Sequence, residues 1–277
     1  MNIILKKIAV KGGFLLFPFF AYYICYDAYL IHTGNFSNDG SLIYHAIDKS
    51  KKKVDKKKII FGDSVGGQLY LNTQDNGRNY YSLTTSGPSS LVGIYVMLEN
   101  FIKVNDTEGC VFYYVIIPVS LNEQLHDKGT YNHFVKPFYT LENFKCFSPS
   151  VHEVIRSFPY WYAAQIPFIK ISNWEPEFEV NSEYRLTISP IYIDYLKRID
   201  SLANQYHFRF TAVMPFLKEG AQNTDFSEIK QLIKQNGIEN IFATYFENIR
   251  YLPIEQFHYS SNHYLKPEEL GENPLNL

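Results

Sequence analysis

The sequence predicts an α/β protein with a mostly parallel sheet and helices on both faces. Short apolar runs alternate with longer amphipathic segments, and a Gly-Asp-Ser directly follows the first apolar run. Such alternation is typical of parallel sheets, because each crossover helix covers one face. Ligands of these sheets bind beyond the carboxyl ends of the strands, so the residues that follow each predicted strand are the candidates for a site.

The predicted strands are short runs rich in β-branched and aromatic residues, and the helices are longer segments with apolar residues three and four apart. The predicted strands are Lys58 to Phe61, Tyr80 to Leu83, Val111 to Ile117, Phe208 to Met214 and Asn240 to Ala243. One predicted helix begins at Ser64, and the others are Ser89 to Lys103, Ile191 to Tyr206 and Phe226 to Gln235.

Residues 119–190 interrupt this alternation with prolines, many aromatic residues and few clear periods. We expect an insertion packed over the site, because long irregular stretches in compact domains are often lids or binding loops. Its candidates for recognition of an acceptor are Tyr131, His133, Phe134, Lys136, Trp161 and Trp174.

Composition excludes several classes of protein. Hydrophobic residues make up 46% of the chain and charged residues 19%, as in a folded domain and unlike a disordered one. The net charge of −2 argues against a nucleic-acid binder. Three cysteines, Cys25, Cys110 and Cys146, exclude a disulfide scaffold; Cys110 and Cys146 either pair or fill separate apolar sites. No metal or cofactor motif occurs, so we expect neither group.

The Gly-Asp-Ser places Ser64 at a strand-to-helix turn, where unpaired backbone N–H groups can stabilise a developing oxyanion. Gly66 and Gly67 are expected to let the backbone approach a substrate closely. The alternative is an ordinary turn in which Asp63 or Ser64 caps the helix. Roughly 200 residues later, near the carboxyl terminus, a polar turn ends at His263, which could serve as a base.

The chain resembles the SGNH (GDSL) hydrolase superfamily at two places, Phe61-Gly62-Asp63-Ser64 and His263. The likeness is strongest to its membrane-anchored branch, similar to D-alanyl transfer and alginate O-acetylation proteins. It implies a three-layer α/β/α flavodoxin-like domain with Ser64 as nucleophile and His263 as base. Ser86-Gly87-Pro88-Ser89 matches the second block of the family, so Gly87 would lend its N–H, with that of Ser64, to the oxyanion hole. The third block, Gly-x-Asn-Asp, has no clean counterpart, and Asn122 is a weak candidate for its asparagine.

The fourth block of the family is Asp-x-x-His, and Ser260 stands where the aspartate belongs. In the serine-protease template, changing this aspartate to asparagine lowers the rate by about 10⁴, because the histidine loses its orientation. Three replacements are open: a backbone carbonyl that orients His263, a carboxylate from elsewhere such as Glu255, or the Ser260 hydroxyl itself.

The amino terminus predicts a membrane anchor over residues 1–33. Lysines at 6, 7 and 11 precede an apolar run from Gly12 to Ile31, about the 20 residues that a helix needs to cross a bilayer. The lysines place this end in the cytoplasm and the remaining chain outside it. The alternatives are a cleaved signal peptide, although no small-x-small site closes the run, and a buried core helix kinked at Pro18.

Behind the anchor we expect a basic linker at 34–57 and an SGNH hydrolase-like domain at 58–277. The lysine-dense stretch from Ser50 to Lys58 is either a solvated edge or a contact for anionic lipid or acidic glycan.

Together these features predict an anchored, extracytoplasmic serine esterase or O-acyltransferase that acts on acyl esters, most plausibly acetyl, of an exported polysaccharide. Its partners would be the ester-bearing glycan or acyl donor, the membrane, and a membrane acyltransferase. One alternative is a catalytically degenerate binding or scaffold protein of a polysaccharide-assembly system. Another is an exported lipase-like enzyme that acts on membrane lipids.

Overall fold

The structure is a computed structural model of the 277-residue chain, and it describes residues 7, 10–22, 25, 38–73, 75–85, 89–123, 125, 131–157, 186–218, 223–247, 249 and 251–252. A four-stranded parallel sheet lies at its centre. The strands are β1 Lys58–Gly62, β2 Tyr81–Ser82, β3 Val111–Val115 and β4 Arg209–Val213. Their order, β2-β1-β3-β4, is that of the first four strands of a flavodoxin-like sheet.

Nine helices are described: α1 at 10–22, α2 Asn38–Ser50, α3 Ser64–Leu69, α4 Ser90–Val104, α5 Lys136–Phe138, α6 Pro149–Ser157, α7 Pro190–Tyr206, α8 Ser227–Asn236 and α9 Glu239–Phe242. Single turns of 3₁₀-helix occupy Pro118–Asn122 and Phe144–Cys146, and a π-helical turn occupies Tyr131–Val135. Two further strands, β5 Leu217–Lys218 and β6 Tyr251–Leu252, pair in parallel apart from the main sheet.

Successive residues of β1 face opposite sides of the sheet, and both sides are covered. Ile59 and Phe61 belong to the larger core, which also contains buried side chains of α2, α4, α7 and α8. Ile60 belongs to a smaller cluster that includes Leu69 and Tyr70 at the end of α3. Because side chains alternate along a strand, the two clusters lie on opposite faces. The α/β fold with a parallel sheet is therefore as predicted, and it is compatible with a three-layer arrangement.

Helix α3 packs against the sheet at a distance that only glycine allows. A Cβ at Gly62 would lie 2.9 Å from the Gly66 Cα and 3.0 Å from the Val115 carbonyl oxygen. A Cβ at Gly67 would lie 2.8 Å from the Thr85 carbonyl oxygen. These glycines serve close contact within the protein. For Gly67 the expected opening of the backbone to a substrate is therefore replaced by a packing role, whereas a Cβ at Gly66 would meet its neighbours at 3.4 Å or more and the expectation for Gly66 stays a prediction.

Most predicted elements agree with the observed ones to within two residues at each end. The predicted strand from Asn240 to Ala243 is wrong, because α9 occupies this segment and its Ile241 and Phe242 are buried. The expected linker at 34–57 contains α2, whose Ile43 and Ala46 are fully buried, so α2 is part of the folded unit.

Part of the insertion is built into the core. Phe134 and Phe138 are both fully buried. The Phe138 ring packs so closely on Gly93 of α4 that a Cβ added at Gly93 would lie 2.9 Å from it. The Tyr195 hydroxyl of α7 donates to the Cys146 carbonyl oxygen at 3.0 Å. Phe134 is therefore a core residue rather than a recognition residue. Trp161 and Trp174 lie outside the described residues.

Helix α1 covers the first half of the predicted anchor. Its apolar side chains, among them Phe14 at 79% and Phe17 at 69% exposure, point outward around the helix. The alternative of a buried core helix is therefore wrong for residues 10–22. Within the described residues, none of the helices combines the length and the hydropathy that a membrane crossing requires.

We expect Gly67→Ala to destabilise the fold by about 1–3 kcal/mol, because the new methyl group would meet the Thr85 backbone. Gly13→Ala is the matched control, since a Cβ at Gly13 meets nothing within 4 Å. Thermal unfolding followed by circular dichroism measures both. Equal midpoints for the two variants would contradict the packing role.

Candidate functional site

The turn from β1 into α3 presents Ser64 at the carboxyl edge of the sheet. Asp63 is the N-cap of α3, and its Oδ1 accepts the Val65 N–H at 2.9 Å, while the Gly67 N–H bonds to the Asp63 carbonyl at 2.8 Å. Ser64 is half-buried, and neither its hydroxyl nor its backbone N–H is hydrogen-bonded to any residue that the structure describes. Asp63 thus shapes the turn, and the Ser64 hydroxyl is available to another molecule.

The residues that follow β2 are hydrogen-bonded next to this turn. Thr85 donates its backbone N–H to the Gly62 carbonyl at 2.9 Å, and its hydroxyl approaches the same carbonyl at 3.3 Å and the Ser89 hydroxyl at 3.0 Å. Gly62 is the residue before Asp63. Thr85 and Ser89, which flank residues 86–88, are therefore held close to Asp63. Gly87, the expected oxyanion donor, lies outside the described residues. Its role stays a prediction.

The 3₁₀ turn after β3 forms the other side of the site. The Ser120 hydroxyl donates to Asp63 Oδ2 at 3.4 Å, so this turn lies against the start of α3. Asn122 ends the turn and is half-buried at the same edge of the sheet. The structure therefore brings the segment of Asn122 to that of Ser64, as predicted. A contact of Asn122 with an oxyanion stays a prediction.

A cluster of buried tyrosines lies beneath the two turns. The hydroxyls of Tyr114 and Tyr192 are hydrogen-bonded to each other, and the Tyr245 hydroxyl donates to the Ile116 carbonyl at 2.7 Å. Burial raises the pKa of all three tyrosines well above the ordinary value, and the Asp63 carboxylate raises it further. These hydroxyls therefore stay neutral, and they hold the floor of the site in place.

Glu123 adds a second carboxylate at this edge. Its charge also raises the pKa of Tyr114 and Tyr192, so it acts on the same buried pair as Asp63. The sequence analysis missed Glu123, Ser120 and Thr85. Thr85 stands three residues after the end of β2, and Ser120 and Glu123 stand five and eight residues after the end of β3, so the only available signal was their place beyond the carboxyl ends of apolar strands.

Three residues named for the reaction fall outside the described part of the chain. These are His263, Ser260 and Glu255, and their predicted roles stay predictions. Within the described residues, no group of three or more histidine, cysteine or acidic side chains is placed to hold a metal ion. The three cysteines are free thiols; Cys110 and Cys146 are buried and fill separate apolar sites.

A surface pocket lies elsewhere, on α6. Its lining residues are Pro149, His152, Glu153, Arg156 and Ser157. It shares no residue with the turns around Ser64. The candidate site is the edge at the carboxyl ends of β1 and β3, where the strand order of the sheet reverses.

Comparison with models of protein families, with curated proteins and with solved structures finds no match to this chain.

We expect Asp63→Asn to keep the cap of α3 and Asp63→Ala to lose it, with a destabilisation of about 1 kcal/mol for alanine. An asparagine side-chain oxygen can still accept the Val65 N–H. Urea unfolding of both variants checks this order. If asparagine were as destabilising as alanine, the charge of Asp63 rather than its cap would be the stabilising feature.

Proposed function

We propose that the chain is an SGNH-type serine esterase or O-acyltransferase, with Ser64 as nucleophile and His263 as base. The observation that carries the proposal is the place of Ser64. It starts a helix at the switch point of a parallel sheet, with a hydroxyl that makes no hydrogen bond to the described residues. Nucleophilic serines are effective in such a position, because backbone N–H groups and loops from neighbouring strands surround the reacting carbonyl.

The proposed reaction has two acyl transfers. Ser64 Oγ attacks the ester carbonyl while its proton passes to His263, and the N–H groups of Ser64 and Gly87 bind the oxyanion. The leaving alcohol departs with the proton from His263, which leaves an acyl group on Ser64. Water or a sugar hydroxyl then gives its proton to His263 and takes the acyl group, and His263 returns that proton to Ser64 Oγ. Water makes the protein an esterase, and a sugar hydroxyl makes it an O-acyltransferase.

The substrate we propose is an acyl ester, such as an acetyl ester, of an exported polysaccharide, and no cofactor takes part. The proposal for the substrate rests on the membrane anchor. Apolar side chains surround α1 on all sides, and a helix of this kind is either buried in protein or in lipid. Since the described side chains of α1 are exposed, lipid is the environment that suits them. The site would then lie on the extracytoplasmic side.

A binding or scaffold protein of a polysaccharide-assembly system is the second candidate. Ser260 in the place of the orienting aspartate favours it. Among the described residues, Asp63 Oδ1 accepts the Val65 N–H and Oδ2 accepts the Ser120 hydroxyl, so both oxygens serve to hold the turn. In this case the candidate site would hold a glycan or a partner without turnover.

We expect the full chain in detergent micelles to hydrolyse p-nitrophenyl acetate, and Ser64→Ala or His263→Ala to lower kcat by about 10³-fold or more. The full chain is used because α2, which begins at Asn38, is part of the folded unit and α1 is part of the proposed anchor. Ser260→Asp should raise kcat by about tenfold or more, because an aspartate orients the imidazole better than a hydroxyl does.

Ser201→Ala is the matched control, since Ser201 is exposed on α7 and bonds only to the Lys197 carbonyl among the described residues. It should leave kcat unchanged. Hydrolysis that survives in Ser64→Ala would contradict the proposed nucleophile. Absence of turnover in every variant, with glycan binding retained in Ser64→Ala, would favour the scaffold.

A further inference from the structure

Helix α2 runs against the direction of the strands. Its last residues lie at the amino edge of the sheet, where the Asn105 side chain, which follows α4, donates to the Lys52 carbonyl at 3.0 Å and accepts the Val54 N–H at 2.8 Å. The Tyr81 hydroxyl, at the start of β2, donates to the Lys49 carbonyl at 3.0 Å. These contacts fix the carboxyl end of α2.

The beginning of α2 lies at the opposite edge. Asn72 donates both to the Leu42 carbonyl at 2.9 Å and to the Thr84 carbonyl at 2.7 Å. Thr84 follows β2 and stands one residue before Thr85, which bonds to Gly62 beside the site. The chain that comes from α1 therefore enters the domain at the edge that carries Ser64.

The length of the connecting segment limits how the domain can sit on a membrane. The apolar run of the proposed anchor ends at Ile31 and α2 begins at Asn38, so the six residues between them span at most about 25 Å. The described residues from 38 onward, about 170, correspond to a compact body about 40 Å across. With the Ser64 edge away from the membrane, the connection would have to run the length of the body, which is longer than it can reach. With the Ser64 edge toward the membrane it need not be stretched.

We propose that the carboxyl edge of the sheet faces the lipid bilayer, so that the ester acted on is held at the membrane surface. The bilayer into which α1 inserts is the partner of this edge. This inference rests on the anchor of the proposed function and adds the place at which the substrate is met. Val119, apolar and 46% exposed, lies at this edge.

The opposite edge carries the exposed lysines Lys51, Lys52, Lys53 and Lys57. Lys51 is paired with Glu142 at 3.1 Å and Lys57 lies 4.0 Å from Asp106, so part of this charge is balanced within the protein. If these lysines were attracted to anionic lipid, the amino edge of the sheet, rather than its carboxyl edge, would face the bilayer. Geometry and charge thus make opposite predictions, and an experiment can separate them.

Single fluorescent labels at Val119→Cys and Lys53→Cys, each with Cys25→Ser in the full chain, report the two edges. Cys110 and Cys146 are buried, so the labels react at the new positions. The chain is reconstituted in phosphatidylcholine vesicles with an energy acceptor on the headgroups, and again with phosphatidylglycerol added. The edges are about 20 Å apart, and we expect the rate of energy transfer to be at least about twofold higher from position 119 in both lipids.

Equal transfer from the two labels, or higher transfer from position 53 in either lipid, would overturn the inference while the anchor stands. A full chain that does not sediment with the vesicles would overturn the anchor itself, and the orientation with it. Sedimentation and energy transfer are read from the same sample, so the two failures are distinguished.

Discussion

The Gly62 carbonyl accepts hydrogen bonds from the backbone and the side chain of Thr85, and this junction governs the arrangement around it. It extends the β1–β2 pairing beyond β2 and brings the chain after β2 against the start of α3. The junction exists only because Gly62 and Gly67 have no side chains, since a methyl group at either position would overlap backbone atoms. The position of Ser64 follows from it, because Ser64 stands two residues after Gly62 on a helix that the sheet holds in direct contact.

The same edge collects polar groups from three segments over a hydrophobic floor. Asp63 is bonded to α3 on one side and to Ser120 on the other, and the neutral pair of Tyr114 and Tyr192 lies below. Buried hydroxyls that bond to each other are held in one geometry, which favours a rigid site. A rigid turn suits nucleophilic catalysis, where the reacting serine must be held in one geometry. It suits equally a protein that only binds.

The sequence was informative wherever a local pattern decides the structure. The five-residue apolar runs of β1 and β3 and the long periodic helices α4 and α7 were predicted closely. Asn240 to Ala243 was mistaken for a strand, since a short apolar run shows no period and its burial beside β4 was not visible. Helix α2 was missed because neighbouring lysines dominate its surroundings. The contacts of Thr85 and Ser120 join residues far apart in the chain, so no pattern of residue spacing in a single sequence predicts them.

A serine-directed fluorophosphonate tests the central claim most directly, because it modifies only a serine that a base has activated. The full chain in detergent is treated with the probe, digested and mapped by mass spectrometry. The account predicts a phosphonylated Ser64, and much slower modification when His263 is replaced by alanine. An unmodified Ser64 in the intact chain, or modification that is indifferent to His263, would contradict it.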